Sequence, residues 1–286
     1  MQSLDLIKKR IKSIEATKKI TNAMKLVATT KIKAQKRSFE AVSAFCRDYY
    51  SVFKRMVVMA QDLNFLRSKK VETKANLYIL VSSDLGLCGP YNVNICKYLM
   101  SQLKPEDKII VYGSKGDAYL RLHHYGDQII RTYHWDLNDE SYYSILPLSY
   151  EIVSNYVDCE YNEIKVVYTE FISSVSYKPK TWNILPIWPE LFGVDSSQYY
   201  HDQTIIEPDP KKIIWHNLPV YVSNLIFGAL VESSLCESSS RRFAMEGATK
   251  NAGELIDNLK VQYNQARQEA ITSEINEIIA GTIGKK

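Results

Sequence analysis

The sequence has no long hydrophobic run, and its most apolar stretch covers only residues 225–231. A membrane-spanning helix needs about 20 predominantly apolar residues. The start of the chain lacks the pattern of a secretory signal, since the basic residues at 8–10 are followed by no apolar core. Asp5 and Glu15 are also unlike an acid-poor mitochondrial presequence. We therefore expect a protein that is soluble or peripheral to a membrane, and that is not exported.

Cysteine is scarce, and its five copies are scattered at Cys46, Cys88, Cys96, Cys159 and Cys236. An odd, dispersed set argues against a disulfide framework and for a reducing compartment. There is no CxxC motif, and the five histidines do not form an HExxH-like pattern. The sequence therefore predicts no metal site and no cofactor.

Catalytic motifs are also missing. The best candidate for small-molecule chemistry is residues 82–92, SSDLGLCGPYN, which follow a predicted strand and precede a predicted helix. This segment is neither GxGxxG nor a P-loop ending in GK[ST], and the serines at 238–240 are not within a GxSxG motif. A turn that needs glycine is the favoured interpretation of 82–92. A nucleotide-dependent enzyme remains the alternative.

Neither glycine nor proline occurs before Gly86, which favours a long amino-terminal helix. Apolar residues alternate three and four apart up to Ile14, and we expect the stripe to resume, shifted around the helix, at Ile20, Met24 and Val27. This spacing is typical of a coiled-coil seam with a drift in register. The helical pattern continues to about residue 60.

A second long helix is predicted at the carboxyl end, where no proline follows Pro219. Pro219 itself suits the first turn of that helix. The apolar rhythm from Leu218 includes Leu255, Tyr263, Ala266 and later positions. A helix this long needs a partner helix or a surrounding sheath to cover its apolar face.

The middle of the chain has a different pattern. Short apolar runs at 75–82, 108–112 and 163–171 predict strands, and helical signals lie at 91–103, so this part indicates an α/β unit. Five prolines make residues 176–210 irregular or edge structure. We divide the chain into residues 1–60 (amino-terminal helix), 61–212 (α/β domain) and 213–286 (carboxy-terminal helix).

Positive charge is concentrated in the first helix, where eleven Lys and Arg residues up to Arg37 face only Asp5 and Glu15. Five of these cations fall within roughly a 60° wedge of the helix. The wedge is consistent with a phosphate-binding stripe, a solvated face or a contact surface for an acidic protein. Nucleic-acid binding by a coiled-coil scaffold is a weaker alternative, because no aromatic residues alternate with the lysines.

Four segments together resemble the gamma-subunit family of F-type ATP synthases, in the same order as in that family. They are 7–31 (IKKRIKSIEATKKITNAMKLVATTK), 83–92 (SDLGLCGPYN), 207–210 (EPDP) and 241–281, which contains RRFAMEGATKNAGELI. The chain departs from the family pattern at Leu85, Pro90 and Ser238–Ser240. The departures in the α/β domain, Leu85 and Pro90, do not affect a shaft role. The three serines are expected to loosen the coil locally, since serine is a poorer helix former than alanine.

The resemblance implies an α/β fold in which the two terminal helices form a long antiparallel coiled coil and carry an inserted Rossmann-like α/β domain. It implies a non-catalytic rotor shaft inside a ring of alternating alpha and beta subunits, resting on the epsilon subunit and the c-ring. The implied location is peripheral, on the cytoplasmic face of a bacterial inner membrane or on the matrix face in mitochondria. The contact residues implied by the family are Met24, Arg267, Gln268 and Thr272 toward the catalytic ring, and Lys31, Lys33, Lys36, Ile206, Glu207 and Asp209 toward the rotor base.

Overall fold

A computed structural model describes residues 4–59, 75–135, 142–187 and 209–283. The chain packs as two compact units. The first unit combines Met1–Thr29 with Arg241–Lys286, and the second comprises Thr30–Ser240. The helices are α1 (Leu4–Met59), α2 (Tyr91–Met100), α3 (Ser114–Leu122), α4 (Tyr142–Val157) and α5 (Pro210–Ile283), with a short 3₁₀ turn at Gly126–Gln128. The strands are β1 (Leu77–Val81), β2 (Lys108–Tyr112), β3 (Ile129–Tyr133), β4 (Ile164–Ser173) and β5 (Ser176–Leu185).

The first unit is an antiparallel pair made by the start of α1 and the end of α5. The hydroxyl of Thr249 donates to that of Thr21 at 2.8 Å, and the Lys18 side chain lies over Gly253. Residue numbers therefore rise along one helix as they fall along the other. The buried residues of this pair are Ile7, Ala28, Met245, Ala252, Ile256 and Leu259. The predicted antiparallel coiled coil is confirmed.

The predicted seam is only partly right. Ile20, Val27 and Leu255 are each more than half exposed, whereas Thr21 and Met24 are partly buried and Ala28 is fully buried. The buried or partly buried positions are the next residues along the chain, and one of them, Thr21, hydrogen-bonds across the pair to Thr249. Apolar periodicity alone predicts that the bulky residues Ile20 and Val27 form the seam, and not their neighbours Thr21 and Ala28.

Helix α5 begins earlier than the sequence suggested. Pro210 is its first residue, where a missing N–H has no cost. The Asp209 carboxylate precedes it and accepts the Lys211 N–H at 3.0 Å, as a helix N-cap does. The prediction that Pro219 lies in the first turn is wrong, because Pro219 lies inside α5.

Part of α5 passes a length and composition test for membrane crossing. The candidate covers Lys211–Asn276, but 72% of its most apolar window is buried inside the structure. A core helix has this property as readily as a membrane span does, so the result is weak evidence for a membrane span.

A five-stranded sheet forms the second unit, with strand order β3-β2-β1-β4-β5. The first four strands in that order are parallel, and β5 pairs antiparallel with β4 as an edge strand. Strand β1 lies at the centre and is buried along its whole length, as a strand covered on both faces must be. Strand β5 lies in the segment predicted as irregular or edge structure and is an edge strand, whereas strand β3 and helices α3 and α4 were not among the predicted elements.

The two faces of the sheet are covered by different helices, which makes three layers. Alternate residues of β1 face opposite sides, so Ile79 packs into one core and Leu80 into the other. The larger core joins the sheet to α4 and to parts of α1 and α5, with Phe53 stacked on Tyr221 at 4.4 Å between ring centroids. The smaller core lies under α2 and α3. The Rossmann-like α/β arrangement is confirmed.

Candidate functional site

The crevice at the carboxyl ends of the parallel strands is where such sheets bind nucleotides, at the point where the strand order reverses. Here that point lies between β1 and β4. The segment 82–90 leaves β1 at this place, and its backbone has positive φ at Leu87 and Gly89. The predicted glycine turn therefore lies where a nucleotide loop would lie.

The start of α3 beside this turn is already occupied by an anion of the chain itself. Asp84 Oδ1 accepts the Ser114 N–H at 2.8 Å, and Asp84 Oδ2 accepts the Trp135 N–H at 3.0 Å. His134 Nδ1 lies 2.8 Å from Oδ1. Burial opposes ionisation of Asp84, but these hydrogen bonds outweigh it and lower its pKa. A phosphate at this helix start would have to displace a well-bound carboxylate.

Helix α5 fills the other side of the crevice. The Tyr91 hydroxyl is 3.3 Å from the Ser233 carbonyl, to which it donates. Ser240 Oγ donates to the Cys88 carbonyl at 2.6 Å and accepts from the Tyr177 hydroxyl at 2.8 Å. The serines at 238–240 are all buried. Ser240 therefore fastens the glycine turn and β5 to α5, and Ser238 and Ser239 are buried packing residues.

This occupied crevice predicts that the isolated chain neither binds ATP tightly nor hydrolyses it. Equilibrium dialysis with radiolabelled ATP should give no saturable low-micromolar binding. A matched dialysis with an alpha–beta catalytic assembly serves as the positive control. Saturable low-micromolar binding by the chain alone would contradict the prediction and favour the enzyme alternative, and tighter binding in Asp84→Ala would place the nucleotide at the start of α3.

Metal chemistry has no visible site in the described part of the chain. Over residues 4–59, 75–135, 142–187 and 209–283, no group of three or more His, Cys, Asp or Glu side chains could hold an ion. None of the five cysteines, all of which lie within the described residues, is part of a disulfide. Burial raises the pKa of Cys96 to about 12, so this thiol stays neutral and unreactive.

The family-implied contact residues of the first helix differ in their surroundings. Met24 is partly buried in the first unit and lies on the side of α1 that carries Ala28. Lys31, Lys33 and Lys36 are exposed in the second unit, and Lys36 forms a loose ion pair with Glu40 at 3.9 Å. The three lysines are accessible to a partner, whereas Met24 offers only part of its side chain.

The predicted contact group at the base of the rotor is only partly described. Ile206 and Glu207 lie outside the described residues. Asp209 is described, and its carboxylate is engaged as the cap of α5. Any contact role of Asp209 would therefore be combined with a structural one.

The predicted contacts near the carboxyl end lie on the exposed surface of α5. Arg267, Gln268 and Thr272 fall within two turns of this helix, and the Thr272 hydroxyl donates to the Gln268 carbonyl at 2.8 Å. Ile271 and Ile275, exposed by 48% and 51%, lie one turn apart in the same region. Ile275 belongs to the predicted apolar rhythm of this helix, yet it is exposed, and Ile271 was not predicted as an apolar contact.

Comparison with known proteins gives a consistent result along the whole chain. The model of the family described as ATP synthase matches residues 3–283. The ATP synthase gamma chain of Mycoplasmopsis pulmonis is 40% identical over 285 residues, with 99% of this chain and 100% of that protein covered. The gamma chain of Ureaplasma urealyticum serovar 10 is 35% identical, with 98% and 99% covered.

Solved structures agree at the level of the fold. A chain of the Euglena gracilis mitochondrial ATP synthase rotor matches with a TM-score of 0.63 and 19% identity, covering 94% of this chain and 98% of that chain. A chain of the central stalk and c-ring structure of the Tetrahymena thermophila enzyme matches with a TM-score of 0.60 and 23% identity, covering 80% and 99%. From the family match and the full-length relatives, the chain belongs to the ATP synthase gamma-chain family.

Proposed function

We propose that this chain is the central rotor shaft of an F-type ATP synthase and carries torque from an ion-driven c-ring to a catalytic ring of alpha and beta subunits. The observation that carries the proposal is the antiparallel helix pair of the first unit, in a chain that covers its gamma-chain relatives from end to end. The chain is a non-catalytic subunit, and catalysis belongs to its partners.

The helix pair has the physical properties that torque transmission requires. A shaft must resist twisting, and the part of α5 after Pro219 contains no proline that would interrupt its hydrogen bonds. Two helices joined along a buried seam resist torsion better than one helix with a solvated backbone. The shaft must also turn within its housing, so its outer surface must not interlock with one subunit.

The outer surface of the first unit fits that second requirement. Polar side chains such as Arg267 and Gln268 alternate with the exposed Ile271 and Ile275. Isoleucine side chains give a non-directional contact with an apolar sleeve, because hydrophobic burial has no preferred orientation. Arg267 supplies a hydrogen-bonding contact that can form and break at each step of rotation.

We assign the base of the shaft to the second unit. The exposed Lys31, Lys33 and Lys36 would attract acidic partners over a distance without tight interlocking. The epsilon subunit and the c-ring are the proposed partners there, together with Ile206, Glu207 and Asp209. Membrane association is peripheral, through the complex, and we propose the cytoplasmic face of a bacterial membrane.

The assignment is tested by assembly. The tagged chain, expressed with the other subunits of the complex, should co-purify with alpha, beta and epsilon subunits and with the c-ring. Recovery of the folded chain alone, in a cell that makes those subunits, would contradict the rotor assignment.

Arg267→Ala should slow ATP turnover of the assembled complex without changing assembly. Loss of a charge-assisted hydrogen bond costs about 1.5–3 kcal/mol where it is well formed, which corresponds to roughly a tenfold or larger effect. Helix content by circular dichroism should be unchanged, since alanine is the better helix former. The measurement is the ATPase rate of the reconstituted complex.

Lys250→Ala is the matched control for Arg267→Ala. It also removes one positive charge from exposed α5, where Lys250 makes only a surface pair with Glu254 at 3.9 Å. Turnover in this control should equal wild type, because such exposed pairs contribute little. If Arg267→Ala and Lys250→Ala both turn over normally, Arg267 is a solvated residue with no contact role.

A further inference from the structure

Strand β4 extends beyond the end of its parallel neighbour. Strand β1 pairs with β4 only as far as Leu80 opposite Val167. Past that point, α5 side chains bond to the free edge of β4. The Thr169 N–H donates to Ser233 Oγ at 3.1 Å, and the Phe171 N–H donates to Glu232 Oε1 at 2.8 Å. A helix thus satisfies backbone groups that a strand would otherwise pair.

Of the three described α5 side chains that bond to this end of β4, Glu232 is the acidic one; the third is the Cys236 thiol, 3.5 Å from the Thr169 carbonyl. The Glu232 side chain is partly buried. Among the described residues, no salt bridge includes it. The main polar contact of the Glu232 carboxylate is therefore one hydrogen bond from the Phe171 N–H. A single such bond compensates poorly for the hydration that the ionised carboxylate loses on burial.

The charged groups around Glu232 are paired with one another. From β4, Glu170 faces it, and Glu170 is bonded to Lys180 and lies 3.5 Å from Lys178. The hydrogen bond from Lys180 lowers the pKa of Glu170, which stays ionised at neutral pH. The positive charges of Lys178 and Lys180 thus mainly balance the negative charge of Glu170, and Lys180 acts on Glu232 only at longer range.

The other groups near Glu232 are neutral or turned away. Burial raises the pKa values of Tyr168 and Cys236, so both stay protonated at neutral pH. Helix α1 contributes the Phe39 ring, which lies edge-on to Phe171 at 5.8 Å. The charges that flank Phe39, Lys36 and Glu40, are more than half exposed and pair with each other.

We propose that Glu232 is a pH-sensitive latch, which holds the far end of the β4–β5 hairpin on α5 when neutral and lets it open when ionised. Burial raises the pKa of Glu232 to about 7, although the Phe171 N–H and Lys180 act in the opposite direction. Among the neighbours named above, Glu232 alone changes charge between mildly acid and neutral pH. The latch does not depend on the proposed rotor function.

The direction of the pH effect follows from proton linkage. In the open hairpin Glu232 is solvated and returns to its ordinary value of 4.5. The closed form binds the proton more tightly, so closure is most favourable below pH 4.5 and weakens as the pH rises toward about 7. The equilibrium constant for opening the hairpin should increase by up to about tenfold per pH unit between pH 4.5 and about 7, and level off above pH 7.

Hydrogen exchange of the full-length chain tests the latch. After correction for intrinsic exchange, protection of the Thr169 and Phe171 amides should fall between pH 5 and pH 7 by roughly tenfold or more. Protection of Ile79, at the centre of the sheet, should not follow this curve. In Glu232→Gln, which keeps an acceptor but cannot ionise, the Thr169 and Phe171 protection should be independent of pH.

Glu246→Gln is the matched control, because it removes an exposed carboxylate from the same helix and should leave the wild-type pH curve intact. Equal pH curves in wild type and Glu232→Gln would overturn the latch. Titration of the wild-type Glu232 carboxyl by carbon NMR gives a test that needs no variant. A midpoint near 4.5 would overturn the proposal, and one near 7 would support it.

Discussion

Phe53→Ala should lower the free energy of unfolding by about 3–5 kcal/mol, the usual cost of deleting a buried aromatic ring. Phe53 is fully buried where α1 meets α5 in the second unit. Its ring stacks on Tyr221 at 4.4 Å and on Tyr49 at 6.3 Å. Alanine would leave a cavity between two aromatic rings that cannot collapse onto it. Urea denaturation of the isolated chain, followed by circular dichroism, measures the loss.

Phe45→Ala provides the control from the same helix. Phe45 stacks on Tyr49 at 6.2 Å, much as Phe53 does, but its side chain is 57% exposed. Its truncation should cost less than about 1 kcal/mol, since little buried area is lost. Similar losses in the two variants would mean that the α1–α5 core of the second unit is not packed as described.

Ala270→Pro should abolish coupled ATP synthesis by the reconstituted complex. Proline at this position removes a backbone hydrogen bond of α5 and clashes with the preceding turn, at a cost of about 3 kcal/mol or more. Ala270 lies between Arg267 and Thr272, so the break would separate these proposed contacts. The helix would bend where the shaft has to transmit torque. Synthesis rate and rotation in single-molecule assays are the measurements.

Ala270→Ser is the control, because it changes the side chain at the same place and keeps the backbone N–H. It should cost a few tenths of a kcal/mol in helix propensity and leave synthesis near wild type. Normal synthesis in Ala270→Pro would show that an intact α5 beyond this residue is unnecessary for rotation.

The regular elements of the fold were largely predictable from local sequence. Strand β2 occupies the predicted residues, and β1 and β4 lie close to theirs, because buried parallel strands appear as continuous apolar runs. Strand β3 was missed because it is short and none of its residues is buried, with Arg131 exposed at its centre. Helix α4 contains Pro147 and adjoins residues with no clear pattern. Strand β5 contains Pro179, which is tolerated only because β5 is an edge strand.

The register of the coiled coil was harder to predict. Periodicity assigned Ile20, Met24 and Val27 to the seam. Met24 is partly buried as predicted, but the seam passes through Thr21 and Ala28 in place of Ile20 and Val27. A hydroxyl that hydrogen-bonds across the pair is as good a seam residue as an apolar one, and single-sequence patterns score it as polar. The position of Pro219 inside α5 was missed for a related reason, since Asp209 and Pro210 supplied a better helix start.

The candidate sites also contain parts that local sequence predicts and parts that it does not. The glycine turn at 82–92 was recognised from sequence, but its internal carboxylate and the α5 side chains that fill the crevice come from distant parts of the chain. Glu232 has no local signal at all, because its environment is made by β4 and β5. The contacts at Arg267, Gln268 and Thr272 followed from family resemblance and remain predictions.

The bonding of α5 to the end of β4 also has a consequence for solubility before assembly. An open strand edge invites pairing with another chain, and the Thr169 and Phe171 amides would present such an edge if α5 did not bond to them. On the outer side of the hairpin, β5 carries Pro179 between Lys178 and Lys180. Proline has no backbone N–H to donate to a neighbouring strand, and burying a charged lysine side chain against such a strand is unfavourable. While α5 stays bonded to β4, newly made copies of this subunit therefore offer less strand edge for fibre-like association at this end of the sheet.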